Sequence, residues 1–87
     1  MIDVSRKSDE KFIVVVKERD SKAEYLVTLD DKYYRILTSG DETKERLIER
    51  SFQFLLEREP KESILSKFDL RIIGRYFPEY ESEIKRV

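Results

Sequence analysis

The hydrophobic pattern of the first third of the chain predicts a β-hairpin. Residues 12–18 begin with five apolar, mostly β-branched side chains and are bounded by charge, which is typical of a strand. Residues 23–29 place three large apolar side chains on one face and predict a second strand. The four residues between them, 19–22, are polar turn formers, so an antiparallel hairpin is the simplest connection.

The residues ahead of the hairpin lack any such pattern. Residues 1–11 are polar and aperiodic, which indicates a flexible N-terminal leader. Residues 12–87 then form a single domain, since their connections are short and they contain no internal repeat. A chain of 87 residues with 39% hydrophobic side chains has room for one core.

Residues 31–38 fit either a short helix or a third strand. Asp30 is a good helix N-cap, and Gly40 suits the left-handed residue that follows a helix. Four residues between them recur at helical spacing: Tyr33, Tyr34, Ile36 and Leu37. The cap and the glycine favour the helix, and the strand stays open as the alternative.

The strongest pattern predicts a central helix at about 42–59, which Pro60 ends. Its apolar residues cover an arc of roughly 200°, so at least two neighbours must cover it. They are Leu47, Ile48, Phe52, Phe54, Leu55 and Leu56. The complementary polar stripe consists of Arg46, Glu49, Arg50, Gln53 and Glu57.

Short helices complete the chain. Residues 63–68 suit one or two helical turns, Asp69 is placed to cap a segment that runs to Phe77, and Pro78 suits the first turn of a last helix. The fold class predicted is α+β, with an N-terminal β-hairpin packed against a long central helix and short C-terminal helices.

Composition removes most catalytic chemistry. The chain has no Cys and no His, which excludes disulfides, thiolate or imidazole metal sites, cysteine nucleophiles and histidine bases. Two glycines cannot form a phosphate-binding loop. We therefore expect no enzymatic activity, no cofactor and no metal.

Two acidic clusters were weighed against that expectation. Glu57, Glu59 and Glu62 around Pro60 suit a carboxylate pair for glycoside chemistry, and Asp30 with Asp31 suits a hard cation. Acidic residues at helix ends produce both patterns without any chemistry, and we favour that interpretation.

The charge balance and the hydropathy bear on location. There are 18 basic and 19 acidic side chains, mixed evenly along the chain, which makes nucleic acid an unlikely partner. No targeting segment is visible, and no apolar run approaches the length of a membrane span, so we expect a soluble cytoplasmic protein. The charged fraction of 43% is typical of thermophilic proteins.

Residues 23–59 resemble a ribbon-helix-helix module, in which a strand ending in a V-x-L-x-D-type sequence enters the DNA major groove. The resemblance implies a DNA-binding regulator that pairs its strands across a dimer. The chain departs from the pattern because its outward residues Glu24, Leu26 and Thr28 do not suit base edges. This function is the alternative hypothesis.

A second resemblance covers residues 40–84. The string FxFLLEREPKESIL, followed by FDL and YFPEY, is similar to a group of small prokaryotic proteins of unknown function. The resemblance implies no chemistry that can be transferred to this chain.

The aromatic and basic residues near the C-terminus support a binding hypothesis. Tyr76, Phe77 and Tyr80 suit either core packing or an exposed aromatic patch that a partner covers. Arg71 and Arg75 suit either an anionic group or local ion pairs with the many glutamates. We therefore expect a non-catalytic protein-interaction or regulatory module. The all-apolar strand also predicts a homodimer through residues 12–18.

Overall fold

The computed structural model describes residues 1–85 and combines a four-stranded sheet with four α-helices over that range. In chain order the elements are β1 (Ile2–Arg6), β2 (Lys11–Glu18), β3 (Ser21–Thr28), α1 (Asp31–Leu37), α2 (Lys44–Leu56), a 3₁₀ turn (Lys61–Ser63), β4 (Lys67–Asp69), α3 (Ile72–Tyr76) and α4 (Tyr80–Ile84). The mixed α+β class is confirmed, but the sheet contains two more strands than the predicted hairpin.

The strands lie in the order β1-β2-β3-β4. The first three form an antiparallel meander, in which Val14 of β2 lies between Val4 and Tyr25. The predicted hairpin is β2–β3, and its turn is tighter than expected because pairing continues to Glu18 and Ser21. Arg19 in that turn has a φ of 48°.

β1 replaces part of the predicted flexible leader, so that prediction is wrong for residues 2–6. Ile2 and Val4 are partly buried and pack against the core, while Asp3 between them and Ser5 after them are exposed. The backbone pairs with β2 along its length, and the Met1 ammonium donates to the Lys17 carbonyl at 2.9 Å. The alternation of apolar and polar residues over these five positions forms a strand because β2 is there to pair with it and the core buries one of its faces.

β4 lies where the sequence predicted a helical turn at residues 63–68. A 3₁₀ turn ends at Ser63, and Phe68 then enters the sheet beside β3 in the parallel direction. The helix prediction is wrong there because the strand depends on a partner about 40 residues earlier in the chain, which local propensity does not reveal.

Residues 31–37 form α1, which settles the alternative in favour of the helix. The Asp30 carboxylate accepts a hydrogen bond from the Tyr33 N–H at 2.8 Å, as predicted for an N-cap. Tyr33 and Leu37 point into the core. Gly40 has a φ of +84° and lies two residues beyond the Thr38 C-cap, so it turns the chain after the helix has ended.

α2 is shorter than the predicted range of 42–59 but buries the predicted face. Thr43 caps its first turn by accepting from the Arg46 N–H at 3.1 Å. Five of the six predicted apolar residues are buried, and Leu56 is partly buried. Phe52 lies at the centre, with its ring 5.1 Å from that of Tyr25 and 6.0 Å from that of Phe68.

Arg50 differs from its predicted place on a solvated stripe. Its side chain is 12% exposed and forms an ion pair with Glu42, whose side chain is 9% exposed. The guanidinium also donates to the Ile84 carbonyl at 3.1 Å. Arg50 therefore joins α2 to the connection between α1 and α2 and to the end of α4, rather than facing water.

The two faces of the sheet differ in burial. Phe12, Val14 and Val16 of β2 lie in the core, whereas Ile13 and Val15 lie on the opposite face and remain partly exposed. Both edges of β2 are paired with strands of the same chain. A dimer through residues 12–18 stays a prediction, and it would have to use this outer face rather than a strand edge.

Candidate functional site

An apolar groove opens at the C-terminal corner of the fold, with a volume of about 320 Å³. We call it the C-terminal groove. Its walls come from the end of α2, the 3₁₀ segment, β4 and α3. The lining residues are Leu55, Glu59, Ser63, Ile64, Leu65, Phe68, Ile72, Ile73, Tyr76 and Phe77.

The groove exists because the chain changes direction sharply after α2. Pro60 cannot continue the helix, so the backbone leaves α2 and makes a single 3₁₀ turn before it enters β4. Phe68 then points to the core side of the sheet, where it is 7% exposed. α3 is only five residues long and covers the far side without closing the gap to the 3₁₀ segment.

Two large apolar side chains at the groove are exposed to water. Leu65 is 50% exposed and Tyr76 is 67% exposed. Within residues 1–85, the other large apolar side chains with comparable exposure are Met1 and Ile36, and neither lines the groove. A concave apolar surface beside exposed apolar side chains is typical of a site that a partner covers.

Glu59 is the one acidic residue among the residues that line the groove. Its carboxylate makes no hydrogen bond or ion pair with any residue from 1 to 85. Neighbouring acids differ, since Glu57 lies 3.4 Å from Arg58 and Glu62 lies 2.8 Å from Lys61. Within residues 1–85, the groove therefore presents an unpaired carboxylate at the edge of an apolar surface.

Two of the five predicted partner-binding residues lie at this groove. Tyr76 projects from its edge, and Phe77 is partly buried in its wall with its ring edge-on to Phe54 at 5.9 Å. Tyr80 is fully buried instead, and its hydroxyl lies 2.7 Å from the Ser51 hydroxyl. Burial raises the pKa of Tyr80 above its ordinary value. Tyr80 is therefore a core residue and is not part of an exposed aromatic patch.

The two predicted arginines do not line the groove. Arg71 is engaged within the fold, because its guanidinium lies 2.9 Å from Asp30 and 3.4 Å from Asp69 and covers the Tyr33 ring at 4.7 Å. Hydrogen bonding to Arg71 lowers the pKa of Asp30. Arg75 is exposed on α3 and forms no ion pair with the described residues.

Sequence reasoning considered Glu59 only as a carboxylate for glycoside chemistry, not as a residue that lines an apolar groove, and it missed the whole β4 side of the groove. The one available signal was the alternation of Phe68 and Leu70 around Asp69, which is the period of a strand. The exposure of Leu65 had no signal, because its neighbour Ile64 has the same chemistry and is 8% exposed.

Apart from Glu59, the members of the two acidic clusters are paired with basic side chains. Asp31 lies 2.6 Å from the Lys44 ammonium, and hydrogen bonding to this ammonium lowers the pKa of Asp31. The Lys61 ammonium lowers the pKa of Glu62 in the same way. Among residues 1–85 no group of three or more acidic side chains is arranged to hold a metal ion. Over the same range no helix has the length and apolar character needed to cross a membrane.

Comparison with known proteins adds no relative: no family model, curated protein or solved structure matches the chain. The similarity of residues 40–84 to small prokaryotic proteins therefore stays a prediction from the sequence.

Proposed function

We propose that this protein is a small non-catalytic protein-interaction module, and that its binding site is the C-terminal groove. The observation that supports the proposal is the exposure of Leu65 and Tyr76 beside a concave apolar surface. Burial of a fully exposed apolar side chain is worth about 1.5–3 kcal/mol, and Leu65 and Tyr76, which are half to two-thirds exposed, would each gain the corresponding share of it. Two such residues next to a groove are therefore suited to anchor a partner.

The shape of the site favours a protein segment over a small molecule. Small-molecule sites enclose most of the ligand surface and place several polar groups around it. This groove is open on one side, and its polar side chains are Glu59 and Ser63. A bulky apolar side chain from a partner fits such a groove, while the rest of the partner contacts the exposed edge.

A peptide selection tests the proposal without knowledge of the natural partner. Random 12-residue peptides displayed on phage are selected on wild-type protein, on Leu65→Lys and on Ile36→Lys. Ile36 is 44% exposed on α1 and does not line the groove, so it is a matched control for a new surface charge. We expect the same peptide families on wild type and Ile36→Lys, and their loss on Leu65→Lys.

Two results would count against the proposal. One is no enrichment on wild type above the Leu65→Lys background. The other is a set of peptides that binds Leu65→Lys as well as wild type, which would place the binding surface elsewhere. Circular dichroism of each variant shows whether it is folded before the comparison is made.

The ribbon-helix-helix alternative has less support. β3, α1 and α2 follow one another in the expected order, but β3 is paired with β2 on one side and β4 on the other. A two-chain ribbon through β3 would require one of those neighbours to leave. DNA binding therefore needs a rearranged sheet, whereas the groove needs none.

A further inference from the structure

We propose that the partner binds as an extended segment that adds a strand to the free edge of β4 and places a basic side chain next to Glu59. This inference rests on the proposed function, because it names the kind of segment that the C-terminal groove accepts. Its support comes from the direction of the β4 backbone groups, the position of Phe68 and the unpaired carboxylate.

The hydrogen bonds between β3 and β4 show which backbone groups are used. Leu26 N–H donates to the Ser66 carbonyl at 2.8 Å, and Leu70 N–H donates to the Thr28 carbonyl at 2.9 Å. In a parallel pair with this register, alternate residues of β4 supply the bonds to β3. Those residues are the even-numbered ones from 66 to 70.

The backbone groups of Lys67 and Asp69 therefore point away from β3. No backbone or side-chain group of residues 1–85 forms a hydrogen bond with these N–H and C=O groups. β4 is the last strand of the sheet, so its outer edge has no neighbouring strand among the described residues. Such an edge is a template for an additional strand, whose main-chain bonds supply affinity.

The groove lies beside this same edge. Phe68, between the two outward-directed residues, points into the core side of the sheet and lines the groove. Side chains alternate between the two faces of a sheet. Every second side chain of an added strand would therefore lie on the groove side, next to Leu65 and Phe68, and the remaining ones would lie on the face of Lys67 and Asp69.

The charge of the groove specifies the partner further. Glu59 has no ion-pair partner within residues 1–85, and no lining residue is basic. A second copy of this chain, paired through β4, would bring no cation from its own groove to Glu59. A lysine or arginine among the groove-facing residues of a different protein satisfies this carboxylate, so we assign the site to a heterologous basic segment.

The test begins with the sequences of the peptides that wild-type protein selects and Leu65→Lys does not. We expect apolar residues at every second position and a lysine or arginine in the same alternating set. A selected peptide is then synthesised with and without N-methyl groups on the backbone amides that would face β4. Methylation should weaken binding ~tenfold or more, because each blocked amide removes a hydrogen bond from a partly dry interface.

A variant of the protein provides the reciprocal measurement. Lys67→Pro removes an N–H that the bonds to β3 do not use, and edge strands tolerate proline. Its matched control, Lys67→Ala, removes the side chain and keeps the N–H. We expect Lys67→Pro to weaken the peptide ~tenfold and Lys67→Ala to change it less than about twofold. The methylated peptide decides the question if Lys67→Pro fails to fold.

The possible failures are distinguishable. The selected peptides could instead carry apolar residues at helical spacing and keep their affinity after methylation and for Lys67→Pro. That result would overturn the strand inference and leave the proposed function in place. No selection above Leu65→Lys would overturn both. A wild-type dimer in sedimentation equilibrium that Lys67→Pro converts to monomer would show that a second copy occupies the edge, which also overturns the inference.

Discussion

Arg50→Ala should destabilise the protein much more than a substitution on the solvated polar stripe of α2, where the sequence pattern places Arg50. Arg50 Nε donates to one Glu42 carboxylate oxygen at 3.1 Å, Nη2 donates to the other oxygen, and Nη2 also reaches the Ile84 carbonyl at 3.1 Å. The two side chains are only 12% and 9% exposed. Removal of the guanidinium leaves the Glu42 carboxylate mostly buried without a cation.

The expected size follows from that geometry. Loss of one partner from a fully buried ion pair costs ~3–5 kcal/mol, and the remaining exposure of this pair reduces the cost to just below that range, about 2–3 kcal/mol. The double variant Glu42→Gln with Arg50→Met should recover part of the loss, with a coupling free energy of about 1–2 kcal/mol. Arg46→Ala, whose 48% exposed side chain pairs with Glu49 at 3.2 Å, is the control and should cost about 0.5 kcal/mol or less.

Urea unfolding followed by far-ultraviolet circular dichroism at pH 7 measures the free energy of unfolding of wild type and of each variant, including the single variants Glu42→Gln and Arg50→Met that the coupling free energy requires. Equal stability of Arg50→Ala and Arg46→Ala within error would show that the buried ion pair contributes nothing beyond a surface pair. Simple additivity of the effects of Glu42→Gln and Arg50→Met would show that the two side chains do not interact.

Three further predictions use the same unfolding assay. Phe52→Ala should cost ~3–5 kcal/mol because it removes a fully buried ring between Tyr25 and Phe68, and a cost below that of Arg46→Ala would contradict the packing. Tyr80→Phe should cost only about 1 kcal/mol, because Ser51 keeps its bond to the Leu47 carbonyl; a cost above Phe52→Ala would show a larger role. Hydrogen bonding to Arg71 lowers the pKa of Asp30 in the folded protein. The ionised Asp30 therefore adds to the free energy of unfolding above its ordinary pKa of 3.8, and this stabilisation is lost as the pH falls through the lower folded value. Asp30→Asn should therefore show a smaller loss of stability between pH 5 and pH 2 than wild type, and equal losses would contradict this effect.

The elements that sequence analysis predicted are those with strong local signals. α1 has a capping aspartate, α2 has a long apolar face, and β2 and β3 are joined by a short turn. β1 was missed although Ile2 and Val4 alternate with polar residues, because five residues without an obvious partner resemble a frayed terminus. β4 was missed because its parallel partner lies beyond two helices.

Burial of polar residues was harder to predict than burial of apolar ones. Arg50 falls on the polar stripe of α2 by its spacing, yet the connection before α2 and the end of α4 close over it. Both contacts lie outside the helix, and Ile84 is 34 residues away, so helical spacing alone does not contain them. The same limit explains why the sequence left Arg71 open as a binding residue and did not identify Asp30, 41 residues away, as its partner.

Only part of the candidate site could be predicted, for a related reason. Tyr76, Phe77 and Tyr80 are equivalent in a sequence, and their exposure depends on how α3 and α4 turn at Pro78. The structure exposes Tyr76, half-buries Phe77 and buries Tyr80. Leu65 and Glu59 join the site only because β4 and α3 meet beside the end of α2.

The central claim, that a partner protein occupies the C-terminal groove, is tested most directly by photo-crosslinking in cells of the native host. Tyr76 is replaced by p-benzoylphenylalanine in one strain, and Ile36 is replaced in a control strain; both positions are exposed. We predict a discrete adduct heavier than the 10.5 kDa chain at position 76, absent at position 36 and lost when Leu65→Lys is added. No adduct at position 76, or the same adduct at both positions, would contradict the account.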